Sequence, residues 1–138
     1  MIHVFLDDHR PCPPGFVLAR TAEECMLLLE ECDVNILSLD HDLGPGEPTG
    51  YDVAAFIVRS GKYPREIYLH TSSDWGRSRM FQILYSNRPE GVMVHMYGMP
   101  EEVLRREAAA RRRDGRVGGP QDGGRGNGRT RDGEPEAP

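Results

Sequence analysis

The chain has 138 residues, with 17 Lys+Arg against 22 Asp+Glu and a formal net charge of −5. That length fits a single domain, and the acidic balance excludes the broad basic face that non-specific nucleic-acid binding needs. The excess acid lies in the first 100 residues, and Lys62 is the only lysine in the chain.

Residues 2–7 read as a buried strand that closes on Asp7-Asp8-His9-Arg10. The next stretch, Arg10-Pro11-Cys12-Pro13-Pro14-Gly15, is a stiff link whose prolines forbid a helix interior. Phe16-Val17-Leu18-Ala19 reads as a second, short strand. Pairing it parallel to the first calls for a crossover of a dozen or more residues, and the link offers about seven. The expectation is therefore a strand that pairs elsewhere, runs antiparallel, or forms an extended edge.

Thr21-Ala22-Glu23-Glu24 has the form of a capping box. The helix behind it would bury Ala22, Cys25, Met26, Leu29 and Cys32 and leave Glu23, Glu30 and Glu31 in water. Residues 34–40 form a near-continuous apolar run that ends in Asp40-His41-Asp42, as expected of a strand buried on both faces of a parallel sheet. A Gly/Pro loop at 44–50 leads through Thr49 into a helix at about 50–60, with Val53, Ala54, Ile57 and Val58 inward.

A third buried strand spans 66–72, and Ser73 to Arg77 make the turn into a helix at 77–87, with Met80, Ile83 and Leu84 inward. Residues 92–97 form the last strand, and Pro100 suits the start of a closing helix that reaches Arg113. From Asp114 onward Gly, Pro, Arg and Asp dominate. Such a segment buries too little apolar surface to offset its ordering entropy, so a domain at 1–113 and a disordered tail at 114–138 are expected. Cys12, Cys25 and Cys32 form no CxxC pair and read as small buried hydrophobes. No signal peptide and no apolar run near 18 residues is evident, which points to a cytoplasmic protein without a membrane anchor.

Strands alternating with helices at this spacing predict an α/β fold: a doubly wound, mainly parallel sheet of about five strands that lacks the first crossover helix. Such sheets bind ligands at the carboxyl ends of their strands. That edge collects Asp7, Asp8, His9, Arg10, Asp40, His41, Asp42, His70, Thr71 and Ser72. Each pair of carboxylates there would repel by ~4 kcal/mol at about 4 Å and an effective dielectric near 20. A divalent cation, Mg²⁺ or Mn²⁺, at Asp7, Asp8 and Asp40 with Asp42 beside them would relieve that strain. His41 and His70 suit general acid/base work near neutral pH, with Asp40 between them. Arg10, Arg77 and Ser72 suit phosphate. Trp75 would stack on a base if exposed, and otherwise pack on the sheet edge.

Asp7-Asp8 closing one strand, Asp40 closing the central one and Thr71/Ser72 closing the next resemble the receiver domain of two-component signalling. Two features depart from it: Met99 stands before Pro100 where that family has lysine, and the first crossover helix is missing. The pattern is more similar to an offshoot, the cyclic-phosphate processing receiver-like domain. The residues that carry this likeness are Leu6-Asp7-Asp8-x-Arg10-x-x-Pro13, Ser38-Leu39-Asp40-His41-Asp42-Leu43-Gly44, Thr49-Gly50-Tyr51-Asp52-Val53 and His70-x-Ser72-x-x-x-Gly76-Arg77-x-x-Met80.

The resemblance implies the handling of cyclic phosphates, either 2′,3′-cyclic RNA ends or cyclic nucleotides. A metal-assisted phosphoesterase is the expectation, with a phosphorylated small molecule or an RNA end as its partner. The alternative is an atypical receiver that signals or binds a phosphate ligand without turnover. Oligomeric state is not set by the sequence.

Overall fold

Alternation along three neighbouring strands builds both the core and the site. The computed structural model describes residues 1–118, with side chains through residue 112. Its strands are β1 (Ile2–Leu6), β2 (Val17–Ala19), β3 (Val34–Leu39), β4 (Glu66–Leu69) and β5 (Met93–Val94). Its helices are α1 (Ala22–Glu31), α2 (Gly50–Ser60), α3 (Asp74–Ser86) and α4 (Glu101–Gly118). Residues 1–11 and 16–100 form one unit, and Cys12–Gly15 with α4 form a second.

The sheet has the order β2-β1-β3-β4-β5, and every neighbouring pair is parallel. Val4, Leu6, Leu37, Leu39, Ile67 and Leu69 share one face and are fully buried. They pack with Cys25 and Leu29 of α1, Val53, Ala54 and Ile57 of α2, and Met80 and Leu84 of α3. Because side chains alternate across a strand, Phe5, Ser38 and Tyr68 fall on the other face. Both faces are buried, as the apolar run of β3 predicted.

The expectation for the second strand is corrected. β2 pairs parallel to β1, with Val4 opposite Val17 and Leu6 opposite Ala19. It is an edge strand, yet the chain returns to it through residues 7–16 without a helix. Two physical features allow this. A three-residue strand needs only a short return, and an extended link covers about 3.3 Å per residue. Arg20, just past β2, also ties the return in place, its Nη1 donating to the carbonyls of Asp7 and Arg10 at 3.1 Å each.

Helix ends follow their caps with small differences from expectation. Thr21 accepts from the Glu24 amide at 3.1 Å, but Glu24 reaches back to the amide of Arg20 rather than to that of Thr21. Thr49 and Asp52 form the reciprocal capping box, with Asp52 accepting from the Thr49 amide at 2.8 Å. α3 begins at Asp74, three residues earlier than expected, because Ser73 caps it by accepting from the Gly76 amide. β5 is confined to Met93–Val94.

Cys25 is buried, and burial pushes its thiol up to about 12; Cys12 and Cys32 are half-buried. In the second unit Gly15 sits at φ +90°, and a Cβ there would lie 3.0 Å from the Glu107 carbonyl oxygen. The backbone of α4 continues to Gly118, past the boundary expected at 113. Residues 119–138, the rest of the expected tail, lie outside the described residues. No helix among the described residues is long and apolar enough to cross a membrane.

Candidate functional site

Strand register brings the site together. Leu6 lies opposite Leu39, and Leu39 lies opposite Leu69. The next residue on each strand is Asp7, Asp40 or His70, so these three form one row at the carboxyl edge of adjacent parallel strands. The ladder carries on through them: the Asp40 amide donates to the Leu6 carbonyl at 3.1 Å, and the His70 amide to the Leu39 carbonyl at 3.0 Å.

Asp7 is fully buried and fully satisfied. Its Oδ1 accepts from the amides of His9 at 3.0 Å and Arg10 at 2.8 Å. Its Oδ2 accepts from Arg10 Nη1 at 2.8 Å and pairs with His70 Nε2 at 2.9 Å. Burial alone would push this carboxyl up, but the four hydrogen bonds outweigh it and hold Asp7 below the usual carboxylate range. An ionised carboxylate only accepts, so His70 Nε2 carries the proton in this pair. His70 is held below its ordinary value by burial, against the pull of Asp7. The neutral ring then leaves Nδ1 to accept from the Ser38 hydroxyl at 2.6 Å, while Phe5 stacks flat on it at 4.4 Å. Ser38 and Phe5 were not among the expected site residues, although they share a sheet face with His70.

Arg10 spans the acids. Its Nη1 also lies 3.5 Å from Asp40 Oδ2, and the Asp7 hydrogen bond raises its already high value further. The repulsion expected among the carboxylates is thus relieved within the chain. Asp8 is turned outward to His9 Nδ1 at 3.1 Å, and Asp42, exposed, receives His41 Nδ1 at 3.0 Å. Neither joins Asp7 and Asp40 in the buried cluster.

That cluster could nonetheless hold a metal ion. One donor atom each from Asp7, Asp40 and His70 lies within 4.8 Å of the other two. Asp7, Asp8 and His9 form a second, more exposed group of the same kind. Two carboxylates and an imidazole fit a divalent cation. Ser38 helps the fit, because its hydroxyl can accept from Nδ1–H as well as donate to Nδ1, which frees Nε2 for an ion. Arg10 competes for the same carboxylates.

His41 is buried beside the row. Its amide donates to Asp40 Oδ1 at 2.8 Å, and its ring meets Trp75 edge-on at 5.9 Å. Two motif glycines make its seat. A Cβ on Gly76 would come within 2.7 Å of His41 Nδ1, and one on Gly50 would overlap the Asp40 carbonyl oxygen. The helices α2 and α3 can approach the end of β3 only with glycine at those positions. The Gly50 amide also donates to the His41 carbonyl at 2.8 Å. Asp42 fixes the ring by accepting from Nδ1–H, which leaves Nε2 as the reactive nitrogen.

Arg77 is committed elsewhere. It donates to the Thr71 carbonyl and to Asp74 at 2.7 Å, lies over the Tyr97 ring at 5.0 Å, and keeps a buried Nε that has no partner among the described residues. Ser72 is exposed, and Ser73 rather than Ser72 starts the helix. Thr71 is buried and accepts from the Ser73 amide at 3.1 Å. His95 pairs with Glu66 at 2.7 Å and stacks on Tyr68 at 4.2 Å.

A model of the cyclic-phosphate processing receiver domain matches residues 2–86, from the first residue of β1 to the last of α3. The chain belongs to this family. No curated protein and no solved structure gives a significant match. The match to the cyclic-phosphate processing receiver domain takes in every residue of the row, the His41–Asp42 pair and both seat glycines. It stops short of Met99, so the lysine missing there lies outside the matched segment. Within the row it is Arg10 that brings a cation to the acids.

Proposed function

We propose that the chain is a phosphoesterase that opens cyclic phosphates, with its chemistry at the Asp7–Asp40–His70 row. The observation that carries this reading is the convergence of those three side chains, from three separate strands, beside a histidine whose tautomer is set by Asp42. A divalent ion, Mg²⁺ or Mn²⁺, held by Asp7, Asp40 and His70 would polarise a phosphoryl oxygen as a Lewis acid. Asp8 and Asp42, turned outward, would add negative charge at the mouth rather than direct ligands.

The chain's own residues would do the rest. His41 Nε2 accepts a proton from the attacking water as the new P–O bond forms. It returns one to the ribose oxygen that leaves when the ring P–O bond breaks. His70, oriented by the Ser38 hydroxyl, would give Nε2 to the ion when one is bound and to Asp7 when none is. Arg10 neutralises the acids and presents a guanidinium to the phosphate; Arg77 and Ser72 flank the same edge. The substrate is a cyclic nucleotide or the 2′,3′-cyclic end of an RNA, which places the activity in RNA repair or nucleotide turnover, in the cytoplasm.

The test is turnover of a nucleoside 2′,3′-cyclic monophosphate with Mg²⁺ or Mn²⁺. Hydrolysis by the native chain and its loss in Asp40→Ala supports the reading; equal rates for both would remove it. A second reading keeps one observation in its favour. Arg10 beside Asp40 supplies a cation of the kind an acyl phosphate needs, so a receiver that takes a phosphoryl group on Asp40, or binds a phosphate ligand without turnover, predicts a stable Asp40 adduct from a small phosphodonor.

A further inference from the structure

The first turns of α3 carry an exposed aromatic group directly against the proposed proton carrier. Trp75 is 64% exposed, and its ring meets His41 edge-on. Arg79 follows at the i+4 position, where helix geometry stacks one side chain over another. Its guanidinium lies 4.8 Å from the centre of the Trp75 ring and 4.2 Å from that of Tyr51 on α2. The arginine thus lies over one face of the indole, and the side chain stays 64% exposed to an incoming ring.

From this arrangement we infer that Trp75 is the base-stacking subsite of the enzyme, which restricts its substrates to cyclic phosphates carrying a nucleobase. The inference rests on the proposed phosphoesterase reading and deepens it. Three features support it. The indole is contacted by both Arg79 and His41, so part of its ordering is already in place before a base stacks on it. The guanidinium adds positive charge where an anionic nucleotide would lie. The contact with His41 puts the scissile phosphate within a nucleotide's reach of the proton carrier when the base sits on Trp75. Stacking on a π-face is tolerant of base identity, so purines and pyrimidines are both accepted, purines more tightly.

The chain contains a single tryptophan, so its fluorescence reports on this position alone. Titration with adenosine 2′,3′-cyclic monophosphate is expected to quench it, and titration with a base-free five-membered cyclic phosphodiester is not. In steady-state assays Trp75→Ala is expected to raise KM for the nucleotide about 10-fold relative to KM for the base-free ester. Trp75→Phe should recover part of that ratio. A ribo-oligonucleotide ending in a 2′,3′-cyclic phosphate, run beside the mononucleotide, distinguishes an RNA end from a free nucleotide. Turnover with an unchanged KM ratio in Trp75→Ala would overturn the subsite and leave the phosphoesterase standing. Quenching by the nucleotide without turnover would keep the subsite and remove the enzyme.

Discussion

His70 Nε2 lies 2.9 Å from Asp7 Oδ2 although 63 residues separate them in the chain. The contact exists because β1 and β4 flank β3 in register, so the residue after each strand falls in one row. A register slip of one residue would put these side chains on the opposite face.

Asp7 contributes stability through its charge. Asp7→Asn leaves Arg10 and His70 without their buried anion and is expected to cost about 3 kcal/mol in denaturant unfolding. Its folded value is depressed, so the contribution is complete above the ordinary carboxylate value of 3.8 and is lost as pH falls below it. Native-chain stability should drop through that acid range, and the Asn variant should show a flatter profile there.

His70 titrates in the opposite environment. Burial holds it below its ordinary value of 6.5, so the unfolded chain takes up a proton before the folded one does. Its contribution to stability is therefore present above 6.5 and declines as pH falls below it. In the metal-free protein the ring resonances of His70 should shift below 6.5 by NMR. In Asp7→Asn they should shift lower still, because the carboxylate that favours the protonated ring is gone.

Gly76 is predicted to be intolerant of any side chain. Gly76→Ala drives a methyl into the His41 ring and should destabilise the fold by about 1–3 kcal/mol. Displacing the ring by even ~1 Å is expected to lower kcat about 100-fold. Gly46→Ala, at φ +76° with none of the described residues within 4 Å of its Cβ, should cost conformational strain alone and leave kcat intact.

Arg10 and a divalent ion contend for the same two carboxylates. Arg10→Gln should bind Mn²⁺ at least about 10-fold more tightly by calorimetry, since a unit charge at ~4 Å is worth ~4 kcal/mol at a dielectric near 20. The same variant should be less stable without metal. Equal Mn²⁺ affinity in both proteins would place the ion away from Asp7 and Asp40.

Most of the fold was legible because apolar runs, caps and glycine stops agree with one another along the chain. β2 was not, because the length rule for parallel crossovers describes helical returns, and a three-residue strand needs none. The acids at the edge were legible as residues but not as partners. Local pairing decided their directions: Asp8 turned to His9 and Asp42 to His41, while Arg10 took the place between Asp7 and Asp40 that a cation was expected to fill. Ser38 and Phe5 were recoverable from period-two alternation, since each sits two residues before a row residue or across the strand from one. The α3 start was hidden because residues 73–77 were read as a turn, whereas Ser73 caps the helix and Gly76 lies inside its first turn.

The proposed activity is the opening of a cyclic phosphate by the row at the strand ends. Phosphorus NMR of adenosine 2′,3′-cyclic monophosphate with Mg²⁺ and the full chain follows that bond directly. The cyclic resonance should give way to a phosphomonoester with the native chain, and slow about 100-fold or more with His41→Gln. A cyclic resonance that persists unchanged with the native, metal-loaded chain would contradict it.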